Sequence, residues 1–280
     1  PDGLTSIGSG AFRMCTSLKS LTIPDSVTTI GADAFYGCDS LETVIFKGNA
    51  PTLGGGSFEG VSPDAKIYVT SSATGFGSTF GGLRISQGGL DDLLWKVVGE
   101  EVHITGCNSG ASGTLDIPAI IEGKPVTSIG DEAIAFCRIL EKVTIPNSVT
   151  TIGADAFYDC DRLKSINVHP DNSSYSSLYG ALYNKEKTTL RVVPEGFTGL
   201  LVLPESVDNI SNNAFNSCRS ISEILFKPLQ APAIEVADED PFWALLPRYN
   251  GVFQAAYILP NAQGYDAIGY ESLTIVTMDQ

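Results

Sequence analysis

Cysteine is the residue type whose spacing in this sequence most directly suggests chemistry. Of the six cysteines, five recur at one position of a repeated sequence, beginning with Cys15 and Cys38 and ending with Cys218. Regularly spaced cysteines can form disulfides or hold a metal ion. No CxxC pair is present, and the two histidines, His103 and His169, lie far apart in the sequence. The sequence therefore predicts no zinc site.

The histidines and carboxylates give no catalytic pattern. His103 lies in the alternating segment EVHITG, and His169 precedes a proline. Neither histidine has a nucleophile close to it in the sequence, and the many carboxylates show no acid–base spacing. The acidic run 238–240 offers the oxygen ligands that calcium prefers, but it has no calcium-loop signature, which favours a solvated run. We therefore predict no enzyme activity, no metal site and no cofactor.

The charge of the chain argues against two classes of partner. The formal net charge is −15 at pH 7. Binding to nucleic acid rests on neutralising phosphates, so it is not expected here. Anionic membrane surfaces are excluded by the same argument, and no segment is long and apolar enough to cross a bilayer. The glycines at 54–56 open no phosphate-binding motif.

A repeat of about 23 residues organises the chain and must position these side chains. In the copy LKSLTIP, inward Leu18, Leu21 and Ile23 alternate with outward Ser20 and Thr22, which is the period of a half-buried strand. The copies are TSIGSGAFRMCTSLKSLTIP (5–24), TTIGADAFYGCDSLETVIF (28–46), TSIGDEAIAFCRILEKVTIP (127–146), TTIGADAFYDCDRLKSINV (150–168) and the weaker DNISNNAFNSCRSISEILF (208–226).

The remainder of each repeat predicts two further elements. VTTIG is a second short extended piece, with Val27 and Ile30 as its apolar residues. ADAFYGC follows as a short helix or turn that buries Ala34 and Phe35 and closes near Cys38. A unit this small cannot bury its own apolar face, so the repeats must stack. The sequence predicts a solenoid, mainly β with short helical turns, whose parallel strands lie ~4.8 Å apart.

The pattern LxxLxIPxSVTxIGxxAFxxCxxL resembles the BspA-like leucine-rich repeats of surface proteins in Bacteroides-type and other host-associated microbes. The resemblance covers most of the chain and implies a leucine-rich-repeat solenoid. Residues 95–130 resemble the opening unit of that family, residues 173–194 its degenerate, hairpin-like unit, and the segments beginning KIYVTSS and AYILPNA its closing unit. The resemblance also implies an extracellular or cell-surface location, adhesion or ligand binding, and no enzyme activity.

Two closing units predict two solenoid blocks. The first block comprises residues 1–88, and the second comprises 89–280, with an insertion at 231–253 and a closing unit at 254–280. One continuous solenoid with an irregular middle is the alternative. Terminal repeats need an atypical cap, and the chain starts inside a repeat, so we expect further repeats upstream.

The repeat positions predict two ladders in the core. Phe12 and Phe35 should stack in the first block, and Phe157 and Phe215 in the second, where Ile134 replaces phenylalanine and Phe136 is displaced. The register cysteines should be buried thiols, because equivalent side chains in successive strands point in parallel and cannot bridge well.

Two surfaces are candidates for binding. The first is the outward face of the main sheet, which is small, polar and nearly uncharged, with Ile45, Val202 and Leu225 as apolar exceptions. Its positions are Ser20, Thr22, Thr43, Ile45, Lys142, Thr144, Ser165, Asn167, Val202, Glu223 and Leu225. The second is the insertion, where aromatic side chains and arginine are the residue types that dominate binding hot spots, although these side chains would equally plug the end of the solenoid. The candidate partner-binding residues are Lys142, Thr144, Asn167 and Leu225 on the sheet and Phe242, Trp243, Arg248 and Tyr249 in the insertion.

The resulting prediction is a non-enzymatic, secreted or cell-surface protein that binds an extracellular protein, such as a host matrix protein or a protein of another cell. The sheet face has no aromatic stripe for stacking on sugars, so a protein partner is favoured over a glycan. Three alternatives stay open: a glycan-binding module, a hydrolase whose residues meet only in the folded chain, and a structural stalk.

Overall fold

The computed structural model describes residues 3–70, 73–86, 90–216, 218, 220–234, 255–265 and 275–278. Within these ranges the chain is almost entirely β, and the described helix is a single 3-10 turn, Leu90–Asp92. The segments predicted as a short helix or turn are hydrogen-bonded turns.

The strands are short and follow the repeat. Those in the first half of the chain are β1 (Ser6–Ile7), β2 (Ser20–Ile23), β3 (Thr29–Ile30), β4 (Thr43–Phe46), β5 (Thr52–Leu53), β6 (Lys66–Val69), β7 (Thr79–Phe80), β8 (Leu83–Ile85), β9 (Leu93–Val98), β10 (Glu101–Cys107), β11 (Gly113–Asp116), β12 (Ile120–Ile121) and β13 (Lys124–Ile129). Those in the second half are β14 (Leu140–Ile145), β15 (Thr151–Ile152), β16 (Ser165–Val168), β17 (Tyr175–Leu178), β18 (Ala181–Asn184), β19 (Thr189–Val192), β20 (Gly199–Leu203), β21 (Asn209–Ile210), β22 (Ile221–Phe226), β23 (Ala233–Ile234), β24 (Ala255–Ile258) and β25 (Ile275–Thr277).

The chain forms two compact units. One unit contains Pro1–His103 and Pro118–Val126, and the other contains Ile104–Ile117 and Thr127–Gln280. Residues 87–89 at the predicted block boundary lie outside the described residues. The boundary near Gly89 therefore stays a prediction.

In the first unit, two parallel ladders run along the stack. The shorter ladder has the order β1-β3-β5, and the main sheet has the order β2-β4-β6-β8-β7. Ser20 pairs with Thr43, and Thr43 pairs with Lys66, so the register confirms the period of the repeat. The closing unit ends in an antiparallel pair, β7 with β8.

The second unit repeats this plan with one interruption. Its parallel ladders include β11-β14-β16 and β20-β22-β24-β25. Between them the predicted degenerate unit forms an antiparallel hairpin, β17 with β18, and β18 continues antiparallel to β19. The parallel order then resumes from β19 to β21 and β23.

A buried asparagine fixes the loop that enters the hairpin. Asn172 is fully buried. Its Nδ2 donates to the carbonyl oxygens of Pro146 and Val149, both at 2.8 Å. Its Oδ1 accepts from the amides of Ser174 and Tyr175 at 2.9 and 2.8 Å. All four hydrogen bonds are local or link adjacent repeats, so the loop is held against the preceding strand end.

The glycine of the SIG and TIG motifs allows successive repeats to approach closely. A Cβ on Gly31 would lie 2.8 Å from the backbone carbon of Gly8, and one on Gly153 would lie 2.6 Å from that of Gly130. Real side chains do not tolerate contacts this short. Any other residue at these positions would force the two repeats apart.

The aromatic ladder of the first unit is confirmed, with one correction. Phe12 stacks on Phe35, and Phe35 stacks on Phe58, with ring centroids 5.2 and 5.1 Å apart. Phe35 is fully buried, but Phe12 is 38% exposed, so the prediction that Phe12 belongs to the core is wrong. Among the described residues, the aromatic ring that stacks on Phe12 is that of Phe35.

The second unit confirms the predicted repeat phase. Ile134 and Phe215 are fully buried, and Phe157 is 5% exposed. Phe136, the residue predicted to be displaced, is 50% exposed and contacts the edge of the Tyr158 ring. The register therefore assigns the core position to Ile134.

Candidate functional site

The outward face of β11-β14-β16 carries polar side chains in two rows, all of them half-buried. The rows are Thr114, Lys142 and Ser165, and Asp116, Thr144 and Asn167. Three of the predicted binding residues, Lys142, Thr144 and Asn167, are thus neighbours on one face, as the alternation predicted. Their role in binding stays a prediction.

The outward face of β20-β22-β24-β25 is apolar instead. Leu225 lies between Val202 and Tyr257 in the register, and Tyr257 pairs with Val276. Leu200 is 46% exposed, Val276 40% and Met278 39%. We call Leu200, Leu225, Tyr257, Val276 and Met278 the apolar sheet face.

A shallow hollow of about 300 Å³ lies on the apolar sheet face. It is lined by Leu200, Glu223, Leu225, Tyr257 and Met278. The Tyr257 hydroxyl donates to Glu223 Oε1 at 3.1 Å. This hydrogen bond to a carboxylate raises the pKa of Tyr257. The pairing places one bound polar group beside exposed apolar side chains, an arrangement found at protein-binding patches.

The sequence identified Val202, Glu223 and Leu225 on this face. Leu200 precedes the alternating part of its strand, and a register shift separates Gly199 from Leu200 in its pairing with β22. Val276 and Met278 belong to the closing unit, whose alternation is too short to assign a face. The alternation in AYILP could have assigned Tyr257 to the outward face.

In the first unit the corresponding face is closed, which corrects a prediction. Thr43 is 1% exposed and Ile45 4%, although both were expected on an open surface. The neighbouring strand places Lys66 beside Thr43 and Tyr68 beside Ile45. Directly paired residues have Cβ atoms ~5 Å apart, so Thr43 and Ile45 pack beside these larger side chains, and Tyr68 is itself 4% exposed.

The predicted residues of the insertion, Phe242, Trp243, Arg248 and Tyr249, lie outside the described residues. The structure describes the first positions of the segment, where Pro232 is buried and β23 extends the ladder from β21.

Each of the two histidines has a carboxylate nearby. His103 Nε2 is 3.7 Å from a carboxylate oxygen of Glu101, and His169 Nδ1 is 4.0 Å from one of Asp171. His103 is half-buried between the buried Val102 and Ile104, the alternation expected of an outward position on a strand.

A cluster of three carboxylates escaped the sequence analysis. Ligand oxygens of Asp159, Asp161 and Glu195 lie within 4.8 Å of one another. Arg138 supplies the counter-charge: its Nη2 and Nε both donate to Asp159 Oδ2, the Nε at 2.9 Å, and Asp161 lies 3.9 Å away. Glu195 Oε1 accepts from the Asp159 amide at 2.6 Å. The cluster is therefore an ion-pair network that joins neighbouring repeats.

Three of the register cysteines are buried thiols, as predicted. Cys38, Cys160 and Cys218 are free and fully buried. Each Sγ donates to a carbonyl oxygen of the preceding repeat unit: Cys38 to Phe12 at 3.0 Å, Cys160 to Ile134 at 3.1 Å and Cys218 to Val193 at 3.2 Å. Burial raises the pKa of all three thiols, that of Cys160 to about 12.

Two other cysteines depart from the prediction. Cys15 is free but exposed. Cys137 forms a disulfide with Cys107. The argument against disulfides applies to side chains at equivalent repeat positions, and Cys107 is out of register. It lies at the end of β10 with its Cα 6.6 Å from that of Cys137, a separation that a disulfide spans.

No helix in the described part of the chain combines the length and the hydropathy that a bilayer crossing requires.

The paired strands and stacked turns, at the period of the repeat, define a leucine-rich-repeat solenoid. Residues 1–86, 112–224 and 196–233 match the BspA type Leucine rich repeat region, in six copies. The chain therefore belongs to this family.

The solved structures similar to this chain are bacterial leucine-rich-repeat proteins at low identity. The pneumococcal vaccine antigen PcpA is 19% identical over 85% of this chain and 54% of its own length, with a TM-score of 0.37; this chain spans about half of that antigen. A leucine rich cell surface protein of Faecalibacterium prausnitzii is 19% identical over 99% of this chain and 84% of its own length, with a TM-score of 0.34. A leucine-rich repeat protein of Eubacterium ventriosum is 17% identical over 99% of this chain and 71% of its own length, with a TM-score of 0.34. A comparison with curated proteins found no match.

Proposed function

We propose that this chain is a non-enzymatic, extracellular or cell-surface protein that binds another protein. The binding surface is the apolar sheet face together with the insertion 231–253. The observation that carries the proposal is the exposure of Leu200, Val276 and Met278 on one side of a sheet. Apolar side chains at 39–46% exposure on one face of a sheet are costly to leave in water and are typical of an interface.

The polar rows of the same unit support this choice of surface. Their side chains are half-buried and hydrogen-bonding, as in the rim of an interface, whereas the apolar sheet face resembles its centre. The polar rows would then fix the position of the partner and its specificity through Lys142, Thr144 and Asn167. Leu225 would contribute binding affinity. In the insertion, Trp243, Tyr249, Phe242 and Arg248 are the residue types most often found at hot spots.

An extracellular location agrees with the chemistry of the chain. The disulfide between Cys107 and Cys137 is of a kind that persists in oxidising compartments. The net charge of −15 keeps an exported protein soluble and disfavours nucleic acid. A binding role without catalysis is the usual one for a repeat scaffold that presents a continuous surface.

The experiment that tests the proposal has two steps. The purified chain is first screened against extracellular matrix proteins and against a glycan array. A variant lacking residues 238–248 is then compared with the intact chain for affinity and thermal stability. Loss of binding with unchanged thermal stability supports a site in the insertion. Intact affinity with a destabilised fold makes the insertion a cap, and binding to glycans alone replaces the proposal with a glycan-binding module.

A further inference from the structure

A groove of about 240 Å³ lies in the second unit between two turn segments, 154–158 and 212–216. In other described repeat pairs, such as 33–37 with 55–59 and 132–136 with 154–158, the turns are hydrogen-bonded to each other directly. Here the hairpin of β17 and β18 stands between them, and it contributes no turn of the repeat type. The floor of the groove is apolar, formed by Leu182, Val192 and Val193.

The turns of successive repeats are joined by a regular ladder of backbone hydrogen bonds. The amides of Glu132, Ile134 and Phe136 donate to the carbonyls of Ala154, Ala156 and Tyr158 at 3.0, 2.8 and 2.9 Å. The first unit shows the same ladder, in which Asp33, Phe35 and Gly37 donate to Gly55, Ser57 and Glu59. Each turn thus presents donors at alternate residues to the repeat that follows it.

At the groove this ladder is left open. The residues equivalent to Glu132, Ile134 and Phe136 in the next repeat are Asp155, Phe157 and Asp159. The Asp159 amide finds the side chain of Glu195 in place of a carbonyl. Among the residues that the structure describes, no protein acceptor receives the amides of Asp155 and Phe157, and both residues line the groove.

The sequence on the side of the groove that carries the turn 212–216 fits this gap in the hydrogen-bond ladder. Ser211 stands where the other repeats have the glycine of the SIG or TIG motif, and at Gly31 and Gly153 a Cβ would clash with the preceding repeat. A side chain is allowed at Ser211 because no turn lies against it. Its Oγ is buried without a hydrogen-bond partner and lines the groove.

We propose that this groove binds an extended peptide segment of a partner protein by backbone pairing. The carbonyl oxygens of an extended peptide on one edge come from alternate residues, which is the spacing of the amides of Asp155 and Phe157. Main-chain hydrogen bonds of this kind supply affinity when a peptide joins an open ladder. A small apolar side chain of the peptide would contact the floor.

The charge of the groove argues against an anion. Asp155, Glu195 and Arg191 are the charged residues that line it. Two carboxylates against one guanidinium leave the lining net negative, which disfavours a phosphate or carboxylate. Asn213 Nδ2 donates to Asp155 Oδ1 at 3.1 Å across the mouth. Both side chains are exposed, so this single hydrogen bond can open to admit a peptide. The groove and the apolar sheet face share no lining residue. Peptide binding in the groove and protein binding on the apolar sheet face can therefore be tested independently.

The test measures amide hydrogen exchange by NMR in the intact chain. The probe is the blocked peptide Ac-Thr-Ala-Val-Ala-Thr-NH2, with tri-N-acetylchitotriose as the glycan comparison. In the free protein, the amides of Asp155 and Phe157 should exchange faster than those of Glu132 and Ile134. Saturating peptide should slow both exchange rates about tenfold. Equal protection in the free protein, no effect of the peptide, or an effect of the glycan alone would each overturn the proposal.

A filled-groove variant adds a second test. Asn212→Trp places an indole in the groove, and Ala32→Trp makes the same change at the equivalent repeat position of the first unit, where the ladder is complete. The peptide should no longer slow exchange in the first variant and should still do so in the second. An unchanged peptide effect in Asn212→Trp would contradict the assignment. Should that variant fail to fold, the exchange rates of the unsubstituted chain decide the question.

Discussion

The ring of Phe35 lies parallel to that of Phe58, with centroids 5.1 Å apart and an interplanar angle of 12°. The two residues occupy the same position in successive repeats. Stacked aromatic side chains at this separation contribute ~1 kcal/mol beyond the burial of their area. Phe35 has such a partner on each side, so it couples three repeats of the first unit.

Replacing Phe35 by alanine should therefore destabilise the protein strongly. A buried aromatic side chain truncated to alanine costs about 3–5 kcal/mol. Phe136→Ala is the matched control, because Phe136 is 50% exposed and out of the core register; its cost should stay below ~1 kcal/mol. Denaturant unfolding monitored by circular dichroism measures both. Equal losses for the two variants would contradict the repeat phase.

The repeat phase could be predicted from the sequence because one pattern recurs with the same spacing. Ile134 and Phe136 are both apolar, yet the copies on either side assign the core position to Ile134. The alternation in the strands likewise placed Lys142, Thr144 and Asn167 on one face. Where several copies agree, stacking removes the ambiguity that a single apolar run would leave.

The sequence was less informative where a residue's surroundings come from outside the repeat pattern. Cys107 lies in the opening unit, and nothing in its local sequence shows that it meets Cys137. Thr43 and Ile45 follow the outward pattern, but both are buried beside Lys66 and Tyr68 of the next strand. Such contacts depend on neighbouring side chains, which the period of the repeat does not specify.

Thiol chemistry provides a direct test of the cysteine assignments. An alkylating reagent applied to the native protein should modify Cys15 and leave the buried Cys38, Cys160 and Cys218 unmodified. In denaturant without reductant all four free thiols should react, and reduction should release Cys107 and Cys137. Peptide mapping by mass spectrometry identifies each site. Native labelling at Cys160, or a mapped disulfide between Cys137 and Cys160, would be inconsistent with the structure.

The buried thiol of Cys160 should make stability depend on alkaline pH. Burial raises the pKa of this thiol from 9.0 to about 12, so the native state holds its proton more tightly than the unfolded state. Its contribution to stability is therefore complete below pH ~9 and is lost as the pH rises toward the folded pKa. The free energy of unfolding should fall across this window.

Cys160→Ala serves as the comparison for that experiment, because tyrosines and lysines titrate in the same range. Urea unfolding at several pH values between 8 and 10.5 should give a shallower decline for the variant than for the unsubstituted protein. Parallel declines would show that Cys160 does not contribute to the pH dependence.

The most direct measurement of the central claim compares two double variants for binding to a panel of purified extracellular matrix proteins. Leu200→Glu with Val276→Glu places two charges on the apolar sheet face, and Leu94→Glu with Val97→Glu places them on β9, where Leu94 is 57% and Val97 43% exposed. Surface substitutions of this kind change stability by ~0.5 kcal/mol or less, so both variants should melt near the unsubstituted chain. The account predicts that the intact chain binds a matrix protein and that the first variant weakens this binding about tenfold or more, while the second leaves it unchanged. Equal affinities for the two variants, or no binding by the intact chain to any protein of the panel, would contradict it.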